Sequence, residues 1–528
     1  MNIWTVAREY AGIAEAGGVK NVTRSLSESL VRSGEKVTLF IPLYGCTDLS
    51  SVEDFCCCWH RPVKIQVCGR EMTISFSHGR RNGVEIVFIG NRAFSEKQAV
   101  YTYTEEEEAE NPAHRKGQGH EDAQFLNTLF QKAVVAYGET CAKEENPAII
   151  HCHDATAAML AVFVHFARKE SRTLASVYRH TRFVITIHNA GAGYHHEYSS
   201  LDSAVYFTGL DRDFLAQGLN GACVEPFVLA SRFACLTTVS PQYAEEIMAG
   251  STDTGGLSPL FARDRVNVTG ITNGVDCGRY NPADTSVSLL PAAFDIAAGD
   301  FDGKYACRSH FLTVFADRNA TLPARNASVR RYGFLAAGAE EAVYIAYHGR
   351  VVRQKGISIL AAAARRILEN GMNARFIFLG QGERELEGEL EQLSQAFPGS
   401  VVYFKGYDRA LSRLCMAAAD IAVFPSNFEP CGTEDFIAQL YGSLCLAHAT
   451  GGLRKIIDGE TGFLYEPNDT ETLAGFLSSL IRIAGQAGKE IFHPMLAYTA
   501  RYITANYSWD KVASEKYRPL FRSLLGDY

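Results

Sequence analysis

Phe424-Pro425-Ser426-Asn427-Phe428-Glu429-Pro430-Cys431-Gly432 is the stretch whose reading decides the fold. The apolar run Ile421 to Phe424 reads as a buried strand, and Pro425, Ser426 and Asn427 stop it with turn chemistry. A helical span follows, then the glycine-rich turn Thr450-Gly451-Gly452-Leu453. Glu429 and the backbone N–H groups of Cys431, Gly432 and Thr433 thus stand where a strand hands over to a helix. Such a point offers free amide donors and the positive end of a helix dipole, so an anion and a sugar can be held there.

The same handover recurs along the chain. Strand-like runs occur at Asn2 to Ala7, Lys36 to Pro42, Val84 to Gly90, Ala148 to His153, Phe183 to His188 and Cys235 to Val239. Helical patterns lie between several of them, at Val19 to Ser33, Ala123 to Tyr137 and Ala155 to Ala167. A second series begins at Ala342 to His348 and continues at Phe376 to Leu379, Val401 to Phe404 and Ile421 to Phe424. This alternation predicts parallel sheets with helices on both faces and ligands at the carboxyl ends of the strands. At 528 residues the chain suits two domains.

Composition narrows the class. An apolar share of 47% and a charged share of 21% fit a globular protein, and a net charge of −8 argues against nucleic acid or an anionic membrane as partner. The first residues already read as a strand, which leaves no room for a signal peptide, and no apolar run reaches the length of a membrane span. A cytoplasmic protein is expected, with its 14 cysteines as thiols. Cys56-Cys57-Cys58 with His60 invites a metal reading, but neighbouring strand residues face opposite ways and no second ligand pair follows at zinc-site spacing. Glu105 to Glu108 with Glu110 reads as a solvated or mobile loop.

The Phe424 to Leu453 segment resembles the carboxyl-terminal signature of bacterial glycogen synthases and plant starch synthases. These are retaining glycosyltransferases of the α/β GT-B fold, with two Rossmann-like domains whose parallel sheets face a central cleft. The resemblance implies that Glu429 lies beside the transferred glucose and that Cys431, Gly432 and Thr433 face the phosphates of the donor. It also implies domains at 1–275 and 276–508, with a terminal helix at 509–528 crossing back to the first domain.

Further motifs carry the resemblance in chain order. Glu15-Ala16-Gly17-Gly18 precedes the first helix, where paired glycines let backbone approach a phosphate or simply make a tight turn. The family has Lys-x-Gly-Gly here, so Glu15 replaces a lysine, and Asn21 replaces an aspartate further on. A carboxylate beside a diphosphate repels it unless it is protonated or turned away, and Lys20 is a partial compensation. His153-Asp154-Ala155 matches the family's His-Asp-Trp without the aromatic, which implies Asp154 near the glucose hydroxyls; a helix N-cap is its plainer role. His188-Asn189 ends another strand, and the resemblance sets His188 against the sugar and Asn189 at the donor, though the family's following glutamine is missing.

Thr238-Val239-Ser240-Pro241-Gln242-Tyr243 and Asn273-Gly274-Val275-Asp276 repeat family strings, the second implying a hinge with Asn273 near the donor. Arg350 and Lys355, in Gly349-Arg350-Val351-Val352-Arg353-Gln354-Lys355-Gly356, match the family's clamp on the leaving diphosphate. Tyr407 after Gly406 is implied to stack on the base, with an exposed loop tyrosine as the plainer reading. Residues 318–338 look like an insertion and receive no site.

The activity implied is transfer of glucose from ADP-glucose to an α-1,4-glucan such as glycogen, with retention and with no metal or other cofactor. UDP-glucose as donor, a related glycosyltransferase with another acceptor, and a glucan-binding homologue without turnover are the alternatives. Glu15 keeps the last two open; intact Glu429, Arg350, Lys355 and His188 oppose the binding-only reading. Hydride transfer is disfavoured because the first glycine-rich turn lacks Gly-x-Gly-x-x-Gly. Nothing in the sequence sets the oligomeric state.

Overall fold

The computed structural model describes residues 1–57, 60–323, 326, 328–336 and 341–526, so Cys58 and part of the 318–338 segment lie outside the described residues. The chain divides into two compact units, Met1–Asn273 with Trp509–Tyr528, and Gly274–Ser508.

The first unit carries β1 (Asn2–Val6), β2 (Lys36–Pro42), β3 (Glu53–Cys56), β4 (Val63–Val67), β5 (Arg70–Arg81), β6 (Val84–Gly90), β7 (Ile149–His153), β8 (Arg182–Ile187), β9 (Leu219–Asn220), β10 (Cys223–Val224), β11 (Ala234–Thr238) and β12 (Val268–Gly270). Its main sheet runs β12-β11-β8-β7-β1-β2-β6-β5-β3, with β4 on β5. From β12 to β6 all pairs are parallel, and β5 joins β6 antiparallel. The central β7 is buried along its whole length, as a parallel strand covered on both faces requires. The order reverses at β1, so the loops after β1 and β7 diverge and leave a crevice at the strand ends. Strands β3 to β5 are missed by the sequence reading because they are half-exposed; β4, for example, alternates partly buried and exposed residues up to a buried Val67.

The acidic run is corrected by the structure. Glu105–Glu110 is a helix closed by a capping box, in which Thr104 accepts from the Glu107 amide and the Glu107 side chain accepts from the Thr104 amide. Acidic residues in a first turn also favour the helix dipole. The terminal segment packs on the first unit: Arg518 donates to Glu35 at 2.7 Å, and the rings of Tyr517 and Phe521 lie against His151.

The second unit carries β13 (Arg330–Leu335), β14 (Val343–His348), β15 (Ala374–Gly380), β16 (Ser400–Lys405), β17 (Ile421–Phe424), β18 (Leu444–His448) and β19 (Phe463–Tyr465), in the order β13-β16-β15-β14-β17-β18-β19. Within the 318–338 segment, β13 pairs antiparallel with β16 and covers that edge of the sheet. The remaining strands are parallel and have the doubly wound order, with the switch between β14 and β17. Lys304 anchors this side from inside the core: its buried ammonium donates to the carbonyls of Ala417 at 2.8 Å and Ala419 at 2.6 Å, at the end of helix Arg409–Ala418. Burial pushes that ammonium down to about 7.

Candidate functional site

In the second unit the two switch-point loops carry the expected residues. The loop after β14 makes a short turn at Arg353–Lys355, and the loop after β17 runs through Glu429 to the helix Glu434–Leu440. Lys355 donates its ammonium to Glu429, whose carboxylate also accepts from Ser426 Oγ at 3.3 Å. Gln354 ties the loops together, donating to the Phe428 carbonyl at 3.0 Å and accepting from Arg350 at 3.2 Å. Arg350 is otherwise exposed. The loops meet with no room for a side chain: a Cβ on Gly356 would overlap the Pro425 carbonyl oxygen, and Gly356 has φ +66°. Gly356→Ala is therefore predicted to lose about 1–3 kcal/mol of stability and to displace Lys355. Denaturant titration alongside an activity assay checks this.

Beyond Glu429 the structure adds a residue the sequence reading missed. Lys455, nearly fully buried and paired with Asp435 at 2.9 Å, donates to the carbonyls of Cys431 at 2.8 Å and Gly432 at 3.1 Å. In a trans peptide the N–H points opposite to the C=O, so these bonds aim the amides of Gly432 and Thr433 away from Lys455. Among the described residues neither amide has an acceptor. Thr433 is the N-cap position without a side-chain cap bond, which leaves an anion-binding turn beside Glu429. Cys431 itself is buried.

Tyr407 is exposed, with its ring 6.3 Å from that of His348. Around it stand Arg279, Tyr280, Arg409, Arg413 and Glu434, a hollow with one aromatic face and several cations. His348 Nδ1 lies 3.0 Å from Glu434. Burial alone would raise the Glu434 carboxyl, but His348, Lys355 and Arg413 hold it below its ordinary value. His348 ends β14 as His188 follows β8, and a histidine at a strand end was the signal available for it.

In the first unit the predicted residues follow the ends of β1, β7, β8 and, for Asn273, β12. Asp154 follows β7 with φ 61°, makes no side-chain cap bond, and accepts from the His188 amide at 2.8 Å. It is thus a cross-strand tether, not the N-cap bond considered from the sequence. Burial pushes its carboxyl up to about 7, with Glu9 adding repulsion. Asn189 accepts from the Gly191 amide at 2.8 Å, and Tyr243, in the helix capped by Ser240, accepts from the Ala190 amide at 2.8 Å. Asn273 is buried, and its side-chain oxygen has no partner.

The glycine turn differs from expectation. Glu9, unmarked in the sequence reading, is buried and accepts from the amides of Ala16 at 3.1 Å and Gly17 at 2.7 Å. The Gly17 amide is thereby occupied, while Gly18 has open space around it. Glu15 turns back onto the Gly12 amide at 2.6 Å and stands 3.2 Å from Lys20. Lys20 thus neutralises Glu15 itself.

One group among the described residues has metal-like proximity: His195, Glu197 and Glu225. His195 Nδ1 faces Glu225 at 2.9 Å and Nε2 faces the Ala190 carbonyl at 2.7 Å. Both ring nitrogens thus meet acceptors. Burial opposes its charge, but Glu225 and that carbonyl raise the imidazole above its ordinary value, while burial raises the Glu225 carboxyl, and the two groups satisfy each other.

Two Rossmann-like units, one with a cation-neutralised glutamate and an open amide turn at its switch point, have the architecture of GT-B glycosyltransferases. Comparison with known proteins agrees: a family described as "Starch synthase catalytic domain" matches residues 2–263, and "Glycosyl transferases group 1" matches residues 342–482. Along its whole length the chain is similar to bacterial glycogen synthases. The glycogen synthase of Thermodesulfovibrio yellowstonii is 27% identical over 100% of this chain and 98% of its own. That of Exiguobacterium sibiricum is 28% identical over 99% of each. The catalytic domain of starch synthase IV from Arabidopsis thaliana, solved with ADP and acarbose, has the same fold, with a TM-score of 0.79, 24% identity and 99% of each chain covered.

Proposed function

We propose that the chain is a cytoplasmic glycogen synthase that transfers glucose from ADP-glucose to the non-reducing end of an α-1,4-glucan, with retention at the anomeric carbon. The observation that carries this reading is the Lys355–Glu429 pair on the two switch-point loops, beside Arg350 and the free amides of Gly432 and Thr433. Departure of the nucleoside diphosphate concentrates negative charge on its phosphates while the sugar becomes oxocarbenium-like. Lys355, Arg350 and the two amides serve the leaving phosphates; Glu429, held by Ser426, serves the sugar. Tyr407 takes the base in its cation-rich hollow. Asp154, His188, Asn189 and Asn273 are assigned to the sugar and donor. Protein cations carry the phosphate charge, so the reading includes no metal. Glu15 accepts from the Gly12 amide and pairs with Lys20, so its charge is met within its own turn. No helix among the described residues is long and apolar enough to cross a membrane.

The test is release of nucleotide from ADP-glucose with glycogen present, run beside UDP-glucose, with and without a chelator, and beside Glu429→Ala. Release from ADP-glucose that needs glycogen, ignores the chelator and is lost in the variant is the expected result. A folded protein that binds glycogen but releases nucleotide from neither donor ends the proposal.

A further inference from the structure

Two imidazoles meet at the ends of β7 and β8, with His153 Nδ1 3.0 Å from His188 Nε2. A bond between two neutral rings needs one N–H and one lone pair, so it can run either way. The second nitrogen of His153 decides. His153 is 1% exposed and its Nε2 is buried without a partner. In an interior an orphaned lone pair is tolerated better than an orphaned N–H. The proton of His153 therefore sits on Nδ1 and is donated to His188 Nε2. That assignment leaves the proton of neutral His188 on Nδ1, an atom with no partner among the described residues. Burial holds both rings neutral, with His188 pushed down to about 3 and His153 well below its ordinary value.

A neighbouring chain obeys the same rule. Thr237 Oγ1 donates to the Ile185 carbonyl at 3.4 Å, so it accepts from Thr186 Oγ1 at 2.8 Å, which in turn accepts from His151 Nε2 at 2.7 Å. His151 thus carries its proton on Nε2, and its orphaned Nδ1 is again the lone pair.

We infer that His153 is a positioning residue for the transfer: it locks His188 in the Nδ1–H tautomer, so that this imidazole offers its ligand a hydrogen-bond donor. The ligand it suits is a sugar oxygen presenting a lone pair, an identity that rests on the proposed function. In the other tautomer Nδ1 would carry an open lone pair, and an imidazole lone pair beside an oxocarbenium-like carbon is a competing nucleophile. His153 occupies the one lone pair that His188 has. The His188 backbone is fixed from the same place, through its amide on Asp154.

Neutron diffraction from deuterium-exchanged crystals of the full chain, with no donor added, reads the protons directly. Deuterium is expected on Nδ1 of both His153 and His188 and not on Nε2 of His188; deuterium on His188 Nε2 overturns the inference whether or not the protein proves to be a synthase. Two variants read the consequence. His153→Asn can replace the Nδ1 donor with its amide N–H and is expected to keep kcat within about threefold, while His153→Leu lowers kcat by about 10- to 100-fold with KM for the donor little changed. Equal loss in both variants, each verified as folded by circular dichroism, also overturns it. If His153→Leu fails to fold, the neutron map and the kcat of His153→Asn still decide.

Discussion

Replacing Lys355 by Met is expected to lower kcat/KM for nucleotide release by about 10³-fold, within the range seen when a charge-stabilising donor or cation is removed from a transition state. The ammonium is paired with Glu429, and both side chains are mostly buried, at 20% and 12% exposure. Loss of Lys355 acts twice: the leaving phosphates lose a cation, and Glu429 is left without its counter-charge. The double variant Lys355→Met, Glu429→Gln should therefore fall short of the product of the single losses, because each single change already disables the shared pair. Arg at 355 is not an equivalent, since a planar fork cannot occupy the place of a compact ammonium held between two loops. Initial rates of the four proteins check this, and a single variant within tenfold of the parent removes the pair from the mechanism.

Asp154→Asn is expected to stabilise the first unit while disabling the enzyme. The folded carboxyl, raised from 3.8 to about 7, holds its proton more tightly than the unfolded one. Stability on this account is full below about pH 4, declines as pH rises through about 7, and then levels. Ionising the half-buried group at pH 8 costs on the order of 2–4 kcal/mol, the lower figure allowing for solvent screening. Asn keeps an oxygen for the His188 amide and has no charge to bury, so the variant should gain about that amount at pH 8 and lose the slope. The tryptophans at 4, 59 and 509 all fall within the residue ranges of the first unit, so their fluorescence during urea unfolding at pH 5 and pH 8 reports it. Activity should fall about 10²-fold or more, as for other groups that meet developing charge. Equal stability of variant and parent at pH 8 contradicts the expectation.

The sequence by itself determined where chemistry could sit. Apolar runs of strand length place Asp154, His188, Arg350, Lys355 and Glu429 at or after the carboxyl ends of strands, because burial on both faces demands such runs. Ser240 and Pro241 likewise announce a helix that forms as written. Only the tertiary structure decided what each group faces. Lys355 and Glu429 are 74 residues apart, and His153 and His188 are 35 apart; the order of strands in each sheet makes them neighbours. The same holds for Lys455 behind the Cys431 turn and for Glu9 on the Gly17 amide, neither of which has a local signal. Glu15 reads as a hazard in sequence and becomes a neutralised turn residue in three dimensions. Strand periodicity is a property of a short window of chain, whereas the partner of a buried polar group is chosen by packing between distant segments, where an unmet charge or N–H costs most.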